Sequence, residues 1–221
     1  MFLISTEQKK QLRQQWLDLI QSLAGSPGQA EKAWGLLDKH YSEPHRSYHN
    51  FSHIQALLQH ADKMKAEIRD FAVVALAIWF HDIIYDTRAS NNELKSAELT
   101  GEILSRLEID VLVIPKVQQC ILATARHEVP QFKNQAHDLP LFLDLDIAIL
   151  GATPDIYQQY SQAIRHEYRW VMAPMYRTGR VKVLKRFAER EKLFFTATMA
   201  SRFDAQARAN LLWETKKLTF F

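Results

Sequence analysis

Apolar residues recur at helical spacing along most of the chain. Leu12, Trp16, Leu19, Ile20 and Leu23 fall three or four apart behind a capping-box pattern, Ser5 with Gln8, so a first helix is expected to run to Gly25. Ser26-Pro27 opens a second, carrying Ala30, Trp34, Leu37 and Tyr41. A polar loop, Ser42 to Asn50, is rich in His and Arg, and after it Ile54, Leu57, Leu58, Ala61 and Met64 mark a third helix. The fourth, about Asp70 to Tyr85, is apolar on every face and is expected to be the central core helix. Further helices are expected over Leu94 to Leu107, Pro115 to Arg126, Pro154 to Trp170, Val181 to Arg190 and about Lys192 to Lys217. Leu139 to Leu150 is a short apolar run that fits either a strand or a buried helix. No segment alternates apolar and polar residues with β-branched enrichment, so the fold class is all-α, without internal repeat.

Composition narrows the setting. A chain of 221 residues with 47% apolar content can bury one sizeable core, and no Pro/Gly/Ser-rich linker divides it, so a single domain is expected. Lys and Arg number 28 against 25 Asp and Glu; a formal charge of +3 is too small to argue for a nucleic-acid polymer or a membrane surface, though it suits a small anionic ligand. The lone Cys120 excludes an intramolecular disulfide and a cysteine zinc cluster, which fits a reducing cytoplasm. The N-terminus lacks the pattern of a signal peptide, and the apolar run ending at Phe80 is far short of the roughly 20 residues that span a bilayer. A cytoplasmic protein is expected, of unassigned oligomeric state.

The chemistry lies in histidines and carboxylates. His81-Asp82 closes the apolar run Phe71 to Phe80, and a buried imidazole beside a carboxylate needs a hydrogen-bond partner or a cation. His49 and His53 are four apart; if helical geometry already holds at His49 they share a face, and if the third helix begins at Ser52, His49 projects from the loop above His53. The spacing is that of zinc-protease histidines, but Asn50 stands where those carry Glu, which argues against a protease. His127, the pair His137-Asp138, and Asp144 and Asp146 within an apolar segment follow. Such nitrogen and oxygen donors suit one or two divalent ions of the Mn, Mg, Co, Fe, Ni or Zn kind. Between Arg165 and Lys192 nine Lys/Arg face three Glu, usually a solvated helix face. Arg177 and Arg180 beside Gly179 are the candidates there for phosphate binding, since a guanidinium binds phosphate bidentately and few acids are at hand to pair with it.

With His53, His81-Asp82 and a later Asp in an all-helical chain, the sequence resembles the HD superfamily of metal-dependent phosphohydrolases, and most closely small bacterial HD proteins described as predicted phosphohydrolases. Tyr48-His49-Asn50 with His53 resembles the motif of cyclic-nucleotide phosphodiesterases, which implies that His49 is a leaving-group acid and His53 a metal ligand. His81-Asp82-Ile83-Ile84-Tyr85-Asp86 is similar to the extended motif of guanosine-polyphosphate hydrolases, with Tyr85 in the place of a Glu, and makes Asp86, with the nearby Glu93, a catalytic candidate. Leu143-Asp144-Leu145-Asp146-Ile147 resembles a segment whose second Asp is the ligand, which selects Asp146 over Asp144. The resemblance implies a catalytic core over about 34–150 and a helical extension over about 151–221. It implies metal held by His53, His81, Asp82 and Asp146, with His127 recruiting a second ion bridged through Asp82, and hydrolysis of a nucleotide or other small phosphate ester. The alternatives are a di-iron oxygenase on the same scaffold and a regulatory metal- or nucleotide-binding module without turnover.

Overall fold

The computed structural model describes residues 2–130 and 136–219, and among these the regular structure is entirely helical. The order is α1 (Thr6–Ser22), α2 (Pro27–Tyr41), α3 (Phe51–Lys63), α4 (Phe71–Phe80), α5 (Asn92–Arg106), α6 (Ile114–Thr124), α7 (Leu139–Asp146), α8 (Pro154–Glu167), α9 (Ala173–Ala188) and α10 (Ala197–Thr219), with 3-10 turns at Lys65–Glu67 and Ile147–Gly151. No helix among the described residues is long and apolar enough to cross a membrane. Leu139 to Leu150, open from sequence between strand and helix, is α7 running into the second 3-10 turn.

The expected capping box forms: Gln8 N–H donates to Ser5 Oγ at 3.1 Å and Ser5 N–H to Gln8 Oε1 at 2.7 Å. At the end of α1 the left-handed residue is Ala24, with φ 55, and Gly25 is needed for space, since a Cβ there would lie 2.6 Å from Ile20 Cγ2 and 3.0 Å from the Leu107 carbonyl. α4 is the central rod, buried from Val73 onward and packed on α3, α5, α6 and α7. Trp16 of α1 meets Trp79 and Phe80 edge-on at 5.7 and 5.6 Å between ring centroids.

α4 stops at Phe80, five residues before the expected Tyr85. The buried guanidinium of Arg46 explains this: it donates to the carbonyls of His49 (3.1 Å), Asp82 (2.6 Å) and Ile83 (2.9 Å), and its Nε to Glu43 Oε2 at 2.8 Å. The Asp82 and Ile83 carbonyls are thus satisfied by a side chain instead of by a further helical turn, and the same guanidinium ties the loop before α3 to the loop after α4. The last helix likewise begins at Ala197, not Lys192, because the N–H groups of Phe195 and Thr196 donate to Asp144 (2.7 and 2.8 Å). α9 starts eight residues earlier than the expected Val181, with Pro174 in its first turn, so Gly179 is a mid-helix residue and not a flexible hinge.

α9 is locked to α10 by a buried ion pair. Arg180 Nε and Nη2 donate to Glu214 Oε1 and Oε2 at 2.9 and 3.0 Å, and Tyr157 Oη and Ser161 Oγ donate to the same carboxylate at 2.6 and 2.9 Å. Arg180 therefore has a full carboxylate partner, contrary to the expectation of an available charge. Its partner was hidden because Glu214 lies 34 residues away, on the buried stripe Ala207, Asn210, Leu211, Glu214 of α10. Arg180→Met should lower unfolding free energy by about 3–5 kcal/mol, since it strands Glu214 in the interior. Urea denaturation measures this; a loss below about 1 kcal/mol would mean the pair contributes little.

Candidate metal centre

Three helix ends deliver one cluster. Asn50 caps α3 by accepting from Ser52 N–H at 2.8 Å, which fixes the first turn and turns His53 inward while His49 stays in the loop outside the helix. His81 and Asp82 follow directly on α4, and Asp146 is the last residue of α7. The His53 and His81 Nε2 atoms lie 3.1 Å apart. Asp82 Oδ2 is 3.1 Å from His81 Nε2 and 3.8 Å from His53 Nε2, and Asp146 Oδ1 is 3.2 Å from His53 Nε2 and 3.4 Å from His81 Nε2.

These atoms converge on a point that needs positive charge. His81 Nδ1 donates to the Ile78 carbonyl at 3.0 Å, so in the neutral ring Nε2 presents a lone pair to two carboxylates and a second imidazole. Burial alone would lower the pKa of His81, but the Asp82 and Asp146 carboxylates outweigh it and hold the ring well above its ordinary value. Burial likewise works to raise the pKa of Asp146, yet His81 and hydrogen bonds from His127 and His53 drive it well down; Asp82 is lowered by His81 in the same manner. His53 is the exception: its burial prevails and lowers it. His53, His81 and Asp82 form a group able to hold a metal ion. Atoms bound about 2.0–2.2 Å from one ion lie roughly 3 to 3.6 Å apart when adjacent, a range that holds these spacings except the 3.8 Å between His53 and Asp82, and Asp146 Oδ1, within 3.4 Å of both imidazoles, is a further donor.

Beside the cluster stands a second device. His49 Nδ1 donates to Glu167 Oε2 at 2.7 Å, and the other oxygen of Glu167 accepts the N–H groups of Ser47 (2.8 Å), Tyr48 (2.8 Å) and His49 (3.0 Å). Tyr85 Oη donates to Oε2 at 2.7 Å, and its ring stacks on His49 with centroids 4.3 Å apart. Glu167 is buried at 2% exposure with five donors around it. Its burial works to raise the carboxyl, but His49 and these hydrogen bonds bring it down to about 2. His49 is raised: burial opposes the protonated ring, and Glu167 outweighs burial.

The remaining candidates divide. His127, in a left-handed conformation with φ 49, meets the cluster through Asp146, donating from Nε2 to Oδ2 at 2.7 Å. Arg190 holds it there by donating to the His127 and Arg126 carbonyls at 2.7 and 2.8 Å. Asp144 is fully buried and turned away, bound to Phe195, Thr196 N–H and Thr196 Oγ1. Asp86 is exposed and accepts the Arg88 N–H at 2.9 Å in a turn, and Glu93 lies half-buried in the first turn of α5; the structure brings neither into contact with the cluster. Asp138 caps the segment before α4 through the Arg69 and Asp70 N–H groups, with His137 at 3.2 Å. Arg177 is half-buried on α9 and does not line the cavity that Arg180 lines.

Sequence reasoning passed over Glu167 and Arg46. The signal for Glu167 was its place on the stripe Tyr157, Tyr160, Ile164, Glu167, a carboxylate on the buried face of α8, masked by Arg165, His166 and Arg169 around it. The two aspartates separate by experiment. Asp146→Asn should strip bound metal from the purified protein, whereas Asp144→Ala should retain it and lose about 2–4 kcal/mol of stability, because buried N–H groups lose a charged acceptor. Elemental analysis with thermal or urea unfolding measures both; metal lost from the Asp144 variant alone would reverse the assignment. Comparison with protein-family models, with curated proteins and with solved structures finds no match to this chain.

Proposed function

We propose that this protein is a metal-dependent phosphohydrolase acting on a small phosphate ester. The observation that carries the reading is the adjacency of two preformed parts: a His53, His81, Asp82, Asp146 cluster with the spacing of a single divalent ion, and a His49 imidazole held beside it by Glu167. A divalent ion in such a cluster lowers the pKa of bound water and offsets charge on phosphoryl oxygens. The rest belongs to the chain. Because Nδ1 of His49 is committed to Glu167, the proton available for transfer is the one on Nε2, and the negative charge of Glu167 favours the protonated ring that a leaving-group acid needs. Stacking on Tyr85 and the three N–H groups gripped by Glu167 fix where that proton points. His127 at Asp146 Oδ2 is where a second ion would be recruited, and it is also the feature favouring a di-iron oxygenase, which aerobic iron content and a visible absorption band would reveal.

A panel of phosphate esters assayed with Mn, Co, Mg, Ni and Zn is expected to show metal-dependent hydrolysis that His81→Ala and Asp82→Ala abolish. Absence of turnover across the panel, or turnover unchanged in both variants, would contradict the reading. His49→Ala should keep its metal and lose roughly 10²–10⁴ in kcat, with a smaller loss for p-nitrophenyl than for alkyl phosphate. Glu167→Gln should move the alkaline limb of the kcat profile to lower pH. The sign follows from the raised His49: with the carboxylate charge gone, the imidazole gives up its proton earlier as pH rises, and the acid is lost sooner. An alkaline limb that stays in place would show that His49 is not the acid.

A further inference from the structure

Next to the cluster, α8 and α9 enclose a cavity of about 530 Å³ whose wall carries His49 and His127 at one end and Tyr85, Tyr160, Tyr168 and Tyr176 along its sides. A smaller cavity of about 120 Å³ shares His49, His127, Tyr160, Arg180, Val183 and Phe187 with it and reaches Asp146, so the two compartments adjoin along a wall that includes His49. Tyr176 is 7% exposed, and its hydroxyl is buried without a hydrogen-bond partner among the described residues.

The charge of the wall is low. Arg180 lines both cavities, but Glu214 neutralises it bidentately, and the guanidinium left on the wall without a carboxylate partner among the described residues is Arg186, set 5.5 Å over the Phe187 ring as a cation on a ring face. Such a wall suits a planar ring bearing few charges and gives a chain of several phosphates little to pair with.

Resting on the phosphohydrolase reading, we infer that the substrate is a phosphomonoester whose leaving group carries a planar aromatic ring, a nucleobase or aryl group, seated in this tyrosine cavity. The placement agrees with the role of His49, which stands where leaving group and phosphate part. The oxygen of water forms the new P–O bond, the ester oxygen departs and takes the proton of His49 Nε2, and the proton shed by water passes to solvent. The products are the free alcohol or phenol and inorganic phosphate. Specificity then comes from the ring and not from added phosphates, since ring stacking on aromatic side chains is worth on the order of tenfold or more in affinity.

Equilibrium binding to the full chain in EDTA tests this without turnover, by calorimetry with AMP, GMP, CMP, UMP and p-nitrophenyl phosphate against ribose 5-phosphate. At least one ring-bearing ligand is expected to bind about tenfold more tightly than ribose 5-phosphate. Val183→Trp, at a partly exposed position of the cavity wall, and Tyr168→Leu should each erase that preference while leaving ribose 5-phosphate affinity, metal uptake and the melting temperature unchanged. Equal affinity for all these ligands, or a preference that survives both variants, would overturn the inference. Metal-dependent hydrolysis of alkyl phosphates with no ring preference would overturn it and leave the phosphohydrolase reading standing; ring-selective binding with no hydrolysis under any metal would support the cavity and sink that reading.

Discussion

Two imidazole nitrogens and two carboxylates pointing at one another from inside a helical core are repulsive as lone pairs and stable only around positive charge. In this protein that charge requirement sits where α3, α4 and α7 meet, and each contributes from its end, so closing the cluster fixes how three helices meet. The raised His81 and the lowered Asp82 and Asp146 are three expressions of the same demand. A proton on His81 meets part of it, and a divalent ion meets all of it with the donor types present.

Around the cluster, two buried charged side chains replace regular backbone pairing. Arg46 collects carbonyls from both sides of the site, while Glu167 collects N–H groups from Ser47 to His49, so one short loop is held by a cation on its carbonyl side and an anion on its N–H side. A charged acceptor with several donors is worth more than the same bonds made to water, which is how an irregular segment can carry a precisely placed imidazole. The arrangement also couples distant parts of the chain, since α8 reaches back about 118 positions to grip His49.

Helix placement was legible because apolar spacing, capping Ser5, and the prolines that open α2, α6 and α8 act locally. At α4 and α10 a distant side chain had intervened: Arg46 ends α4, and Asp144 delays α10. The residues expected to hold metal do gather, since His81, Asp82 and Asp146 end or follow apolar helices whose burial carries them inward, and His53 lies on the buried face of the first turn of α3. Arg180 departs from expectation for the opposite reason, because pairing with Glu214 depends on a contact between helices that spacing along α9 cannot encode. Asp86 and Glu93, near the ligands in sequence, are carried off by the turn that Asp86 caps and by the start of α5.

The central claim is a single nitrogen and oxygen metal centre built by His53, His81, Asp82 and Asp146, and X-ray absorption of the protein loaded with one equivalent of zinc tests it most directly. The account predicts a shell of light atoms at about 2.0–2.2 Å with outer scattering from two imidazole rings, and no sulfur. A shell without imidazole scattering, or one unaltered when His53 and His81 are both replaced by alanine, would contradict it.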